Sequence, residues 1–412
     1  MTFGLPPPVT LPTTLAISQG ARNWPFLTLT TFPVAAALSS RAMEPVLPLV
    51  SSDLGVTVAT AASLSAAVAL TFALVQPILG AAADMFGKAR LMIGCLAMLG
   101  AANIIGAMAT SFEMLFLSRI LCGIAAGGTF PIAMSLTSDL VPTAQRQVAL
   151  SRILAGAMTG NLLGSSAAGV IGDFFGWRGV LVILGLLVIV ASVAVWIGFR
   201  KGGVSSPKQS VSFGALRDGY RTILANPNAR VCFTAVFIEG LCVLGLFPFV
   251  AAFLFELGET RASIPGVVIA AFAVGGLFYT LSVSRMLPRF GVRGLMVGGA
   301  VVMALQFIVI ALGPRWEIQA ISFLVMGWGF YSLHGSLQVF SSDLAPEARA
   351  SALSLHAFCF FMGQAAGPIV YGFGLSHFGK MPTLILSATA ILVLGIVAAR
   401  LLHQKPAEMV DI

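Results

Sequence analysis

Residues 80–90 read GAAADMFGKAR, a short charged island between two long apolar runs. Gly80 and Gly87 permit close approach and a sharp reversal of the chain. Asp84 supplies an acceptor that can sit against a helix N-terminus or pair with an arginine across an interface. Lys88 and Arg90 suit the anionic face of a membrane. The stretch therefore reads as a tight turn joining two membrane-crossing helices. A plain basic turn is the simpler alternative, but it leaves the aspartate and the paired glycines unused.

Composition agrees with that setting. Of 412 residues, 58% are hydrophobic and 9% charged, too little polar surface for a soluble protein of this size. A hydrocarbon core about 30 Å thick takes about 20 apolar helical residues to cross. Twelve segments qualify: 25–50, 57–79, 91–110, 114–137, 148–172, 178–199, 230–255, 263–286, 294–313, 318–341, 351–375 and 382–402. They leave no room for a soluble catalytic domain. No nucleophile elbow, metal-ligand cluster or phosphate-cradling loop is present, so the chain is not read as an enzyme and no metal or cofactor is expected.

The formal net charge is +8, and its placement speaks for orientation rather than nucleic acid. Of 23 lysines and arginines, only Arg178, Arg261, Arg315 and Lys380 fall on loops of one face, and Arg41 and Arg119 fall within spans. The rest lie on the other face, which places both termini in the cytoplasm. The five cysteines (Cys95, Cys122, Cys232, Cys242, Cys359) all sit in apolar spans and read as packing residues with free thiols. The N-terminal MTFGLPPPVTLPTT lacks a basic region before its apolar part, so it is read as a mobile tail, not a cleavable signal.

The longest polar interval, Arg200 to Asn228, splits the chain. The organisation expected is an N-terminal tail (1–23), a six-helix bundle (24–199), a cytoplasmic linker (200–229), a second bundle (230–402) and a C-terminal tail (403–412). Phe213 to Leu224 within the linker has the pattern of a short amphipathic surface helix. The halves repeat one another: SDLVPTAQR at 138–146 matches SDLAPEARA at 342–350, and Phe86-Gly87 matches Phe290-Gly291, both at an offset of 204. GNLLG at 160–164 matches GQAAG at 363–367 at an offset of 203. Related halves are the sequence mark of transporters that work by alternating access.

The island at 80–90 resembles the loop between the second and third helices of the major facilitator superfamily of secondary transporters. FLSRILCGIAAGG at 116–128, with Arg119 at its centre, is similar to the fourth-helix motif of its proton-coupled members. GAMTGNLLGSSAAGVIGDFFGWRG at 156–179 is similar to the glycine-rich fifth-helix motif of drug/proton antiporters, with Ser165 in place of a proline and Ala168 in place of a glycine. The resemblance covers residues 25–402. It implies an all-α membrane protein of twelve transmembrane helices in two pseudo-symmetric six-helix bundles. It also implies that Gly80, Asp84, Gly87, Lys88, Arg90 and Arg146 form the conformational latch, Asp84 holding the halves together in the outward-facing state. In the second half Pro288 stands where Asp84 would map.

An ionisable group in the bilayer core costs about 2.5–3.5 kcal/mol on insertion scales, so each one asks for a use. Arg41 and Glu44 are three apart on one helix face, about 15 Å and 10 Å from an outer end near Ser51. Arg119 enters the fourth span at a depth near Glu44, which makes an Arg119–Glu44 contact plausible. Three uses stay open: a structural ion pair, a proton site at Glu44 biased by Arg119, or an anion clamp at Arg41. Glu239, among Phe233, Phe237 and Leu241, reads as protonatable. His334 is the other proton-coupling candidate, against the simpler reading of a hydrogen-bonded histidine. Asp139, Arg146, Asp343 and Arg349 sit at matching helix ends as gate or capping pairs. Phe237, Phe247, Phe249, Trp328, Phe330, Tyr331, Phe358 and Phe361 form an aromatic set suited to a bulky, partly apolar substrate; Phe237, Phe247, Trp328, Tyr331 and Phe361, with Arg41, are the substrate-binding candidates.

The function expected is a proton-coupled inner-membrane transporter exporting a small amphipathic organic compound in exchange for protons. The alternatives are a proton symporter taking up an organic anion through Arg41, and a lipid transporter of the same fold. Its partners would be a small organic substrate, protons and the lipid bilayer, with no nucleic acid, and it would act as a monomer.

Overall fold

In lipid every backbone N–H and C=O must be satisfied within the chain, and the regular structure of the described residues is all helical, with no strand among them. The computed structural model describes residues 34, 37–39, 41–141, 143–201, 213–345 and 348–402. The side chains of Asp84, Asp139 and Arg146 lie outside the described residues, so the latch expected there is not located.

A 3-10 turn at Glu44–Val46 leads into α1 (Leu47–Leu54), then α2 (Val58–Phe86), α3 (Lys88–Ala107) and α4 (Phe112–Leu140) follow. A helix over Thr143–Lys201 is broken at Gly176 into α5 (143–175) and α6 (177–201). Next come α7 (Phe213–Ala225), α8 (Pro227–Val243), a 3-10 turn at Leu244–Leu246, and α9 (Phe247–Glu256). Ser263–Ala311 is broken at Gly291 into α10 (263–290) and α11 (292–311). The chain closes with α12 (Trp316–Asp343), α13 (Arg349–Phe378) and α14 (Lys380–Leu401).

Among the described residues eight helices are long and apolar enough to cross a bilayer, two of them the broken 143–201 and 263–311 helices that can cross twice. The helix α12 matches the expected span at 318–341 but falls outside the eight. It buries Gln319, Ser322, Ser332, Ser336 and Ser341, a polar interior face that lowers its apolarity. Ile78, Leu281 and Leu386 are 65%, 71% and 68% exposed, which suits contact with lipid rather than water. The chain is thus an all-α multi-pass membrane protein.

Four Phe-Gly pairs make corners where one glycine joins two helices. Gly87, Gly176, Gly291 and Gly379 have φ of 90°, 64°, 63° and 82° with extended ψ, a region essentially reserved for glycine. The linker helix expected over 213–224 is observed as α7. Its Tyr220 and Ile223 pack on Phe233, Leu344, Ala345 and Ala352, at the linker end of the molecule.

The repeated glycines also acquire a meaning. A Cβ on Gly160 or Gly164 of α5 would lie 2.6 Å from the Val34 carbonyl oxygen or 2.5 Å from that of Leu38. On α13, Gly363 and Gly367 meet the backbone of Phe237 and Gly245 in the same way. Each GxxxG pair therefore lets one helix lie backbone to backbone on another. Across the two halves, a Cβ on Gly169 would lie 2.5 Å from the Ala262 carbonyl oxygen, and one on Gly266 2.5 Å from that of Ser165. This α5–α10 seam is clasped at the end far from the linker by Asp173, whose carboxylate accepts from the amides of Ala262 and Ser263 at the start of α10.

Candidate functional site

Two of the expected spans are interrupted, and both interruptions follow from proline. Pro45 and Pro48 lack an amide hydrogen and crowd the preceding turn, so the chain is bent at 41–43 and tightens into the 3-10 turn at Glu44. Pro248 does the same beyond α8, where Leu244–Leu246 forms the matching 3-10 turn. The expected span at 230–255 is found as one span-length segment, Pro227–Glu256, with the 3-10 turn inside it, and the expected span at 25–50 carries a bend and a 3-10 turn over its described residues. Discontinuous helices of related halves are a mark of the substrate and ion site in secondary transporters.

At the first break Arg41 Nη1 donates to Glu44 Oε1 at 2.8 Å, and the guanidinium lies over the Phe247 ring, 4.9 Å from its centroid. The two breaks thus touch across the halves. Glu44 is 3% exposed, and its Oε2 has no hydrogen-bond partner. The contact suggested between Arg119 and Glu44 does not form. Arg119, itself 2% exposed, gives Nη1 to Asn103 Oδ1 at 3.0 Å, Nε to Ser118 Oγ at 3.2 Å and Nη2 to the Ala102 carbonyl at 3.4 Å. Arg119 and Glu44 instead line one cavity of about 30 Å³, with Gln364 of α13 on its wall. That volume is about one water molecule. Gln364 Oε1 is likewise buried without a partner.

At the second break Glu239 is fully buried, and its Oε2 meets His334 Nδ1 of α12 at 2.7 Å. The two proton-coupling candidates of the second half are therefore one unit. Glu239 Oε1 has no partner. His334 stacks on Phe330 and lies 5.0 Å, centroid to centroid, from His356 of α13. His356 is 2% exposed and shares a 2.7 Å hydrogen bond between Nδ1 and Ser341 Oγ.

The aromatic candidates divide. Phe361 reaches across the halves to Phe72, centroids 4.3 Å apart, and Trp328 donates to Ser282 at 3.1 Å. Phe237 and Tyr331 are half-buried, Tyr331 against Phe272 and Phe330. Phe247, Phe249 and Phe330 are buried in the core of the second half, so they shape the site from behind. Asp343 and Arg349 are exposed and form no ion pair with each other. Lys88 is buried, beside the corner at Gly87. Among the described residues no group of His, Cys, Asp and Glu could hold a metal ion.

Asn103, His356 and Gln364 went unread in the sequence. Each is a polar residue inside an apolar run, and that was the available signal; their partners are set by helix packing that no sequence spacing shows.

A bundle of lipid-facing helices with broken spans, buried carboxylates and polar atoms meeting between two halves defines a membrane transporter rather than an enzyme. Residues 29–285 and 260–411 match the Major Facilitator Superfamily, and the chain belongs to it. It is 26% identical over 339 residues to the quinolone resistance protein NorA of Staphylococcus aureus (strain MSSA476), covering 80% of this chain and 84% of that one. It is 25% identical over 338 residues to a chloramphenicol resistance protein of Streptomyces lividans, covering 80% and 83%. A point mutant of the nucleoside transporter NupG superposes with a TM-score of 0.79 at 16% identity, over 91% of this chain and 99% of that one, a likeness of fold. The protein is a multi-pass membrane protein matching bacterial inner-membrane transporters, consistent with secondary transport by alternating access.

Proposed function

We propose that the protein is a proton-coupled exporter of a small amphipathic organic compound, exchanging it for protons. In this reading it has twelve spans in two six-helix bundles (24–199 and 230–402), with the linker end and both termini in the cytoplasm. The observation that carries the proposal is Glu239. It is a fully buried carboxyl held by one histidine, with its second oxygen unpartnered and no arginine or lysine paired to it. An ionisable group buried in the membrane without a fixed cation is a functional residue by default, and a proton is the charge that can come and go there.

The first half has a different balance. Arg41 is committed to Glu44 and Phe247, and Arg119 to Asn103 and backbone, while Glu44 Oε2 and Gln364 Oε1 are spare acceptors. A substrate group offering hydrogen-bond donors suits that cavity better than an anion, since an anion at Arg41 would first have to displace Glu44. The resistance functions in the names of the two relatives fit an organic substrate of this kind. Phe72, Phe361, Trp328 and Tyr331 are assigned to its apolar part. Asp84, with Gly80, Gly87, Lys88, Arg90 and Arg146, is assigned to the latch at the linker end.

The test uses proteoliposomes holding a pH dye and a panel of cationic, neutral and anionic amphipathic compounds, quinolones and chloramphenicol included. Inward movement of a compound should drive protons out of the lumen, and Glu239→Gln should abolish that flux. Proton entry alongside an anion, lost in Arg41→Ala, would replace the proposal with symport. A folded protein silent on the whole panel would turn it toward lipids.

A further inference from the structure

Behind Glu239 a line of buried polar groups runs toward the linker end. Glu239 Oε2 meets His334 Nδ1 at 2.7 Å, the His334 ring stands edge to face with His356 at 5.0 Å, and His356 Nδ1 meets Ser341 Oγ at 2.7 Å. Ser341 Oγ in turn contacts Cys232 Sγ at 2.9 Å. Glu239 and Cys232 are seven residues apart on α8, as are His334 and Ser341 on α12, so the line covers about 10 Å of the bundle axis. Nothing in the packing requires it. Apolar residues would fill the same space with less desolvation cost, and His356 Nε2 is buried without any partner.

We propose that His356 is a proton relay that connects Glu239, through His334 and Ser341, to the linker end of the protein. The inference rests on the proton-coupled reading above and adds to it a route and a residue. In the outgoing direction the Glu239 carboxylic acid gives its proton to His334 Nδ1. His334 releases the hydrogen on its Nε2 to His356 Nε2. His356 releases the hydrogen on its Nδ1 to Ser341 Oγ, and the serine, buried beside Cys232 in this state, passes its own hydroxyl hydrogen to water admitted when the linker end opens. One proton enters the line and one leaves it. Turning each ring about χ2, a soft torsion, closes the gap between the rings. The starting tautomers return when each ring takes a proton at the nitrogen that gave one up and releases the other, as passage of a proton in the opposite direction does.

His334 and Ser341 of α12 touch His356; Glu239 and Cys232 of α8 lie one contact further on, against His334 and Ser341, and Cys359 is three residues along the same helix as His356. Phe360 and Phe330 pack against His334 at 4.7 and 5.0 Å and leave His356 as its polar neighbour on α13. Glu239 is thereby joined to the linker end by side chains that can each both accept and donate a proton.

The experiment separates the equilibrium at Glu239 from its rate. In proteoliposomes with the linker end outward, the infrared carbonyl band of the protonated Glu239 carboxyl, assigned by its loss in Glu239→Gln, is followed after an external pH jump. In His356→Gln the band should titrate with an unchanged midpoint but respond at least tenfold more slowly, because glutamine keeps a hydrogen bond to Ser341 and cannot shuttle. A wild-type rate in His356→Gln overturns the relay while leaving Glu239 as the coupling group. A wild-type band that does not change with pH overturns the coupling reading itself. If His356→Gln does not fold, Ser341→Ala takes its place, where slowing supports the relay and a wild-type rate overturns it.

Discussion

Replacing Asp173 by alanine should loosen the far end of the seam without touching either buried carboxylate. Asp173 Oδ2 accepts from the Ser263 amide at 3.2 Å, and Oδ1 accepts from that of Ala262. Both amides open the α10 helix, where the helix dipole adds to the attraction for a carboxylate. Loss of a helix cap costs about 0.5–2 kcal/mol. Asp173 is exposed and its bonds are partly replaced by water, so about 1–1.5 kcal/mol is the appropriate range. That shifts the open fraction of the seam by about fivefold to tenfold. Ser165, 0% exposed and packed on Gly266, reports on it. In a Cys359→Ser background, Ser165→Cys should react with a water-soluble maleimide only when the seam parts. The added change Asp173→Ala should speed that reaction fivefold to tenfold, and Asp173→Asn, which keeps one acceptor, by less. Equal rates in all three proteins would show that the carboxylate does not hold the seam.

Asp53 receives hydrogen bonds from Arg178 and, at 3.1 Å, from Trp177 Nε1, and the Arg178 bond chiefly holds its carboxyl below the ordinary range. A depressed folded value means the pair stabilises the protein above the ordinary carboxylate range and is lost as pH falls through the folded value. Both partners are over 40% exposed, so the contribution is within about 1 kcal/mol, and Asp53→Asn should flatten the acid limb of the thermal-stability profile in detergent. Asn103→Leu should cost about 1–3 kcal/mol by taking an acceptor from the buried Arg119 guanidinium, and adding Arg119→Leu should recover part of the lost melting temperature. Gly363→Ala drives a methyl into the Phe237 backbone. It should lower stability by about 1–3 kcal/mol, read as a lower urea midpoint or melting temperature.

The layout was legible because lipid makes a blunt demand. Span length and the repeated GNLLG and GQAAG follow from bilayer thickness and close helix approach. The repeat put Gly160 and Gly363 in corresponding places; their shared packing role, and the helices they meet, came only with the structure. The site was legible by residue type and not by partner. Arg41 with Glu44 was accessible because only three residues separate them, although the chain bends at 41–43 instead of running as the helix the spacing assumed. Glu239 with His334 was not, since the pair joins α8 to α12 across 95 positions. Arg119 was drawn toward the nearest carboxylate in depth, yet a neutral asparagine one helix away satisfied it first. Pro45 and Pro248 were in plain view as helix breakers, but apolar windows average over them.

The four Phe-Gly corners set where this chain can be lengthened. A single residue does the work of a loop at Gly87, Gly176, Gly291 and Gly379, so one inserted residue there turns the following helix by about 100°. A face made for lipid would then point inward along its whole length. The connections at 108–111 and 257–262 hold several residues between helix ends, and they are the places where a tag, a reporter or an evolutionary insertion can be absorbed with every helix keeping its face.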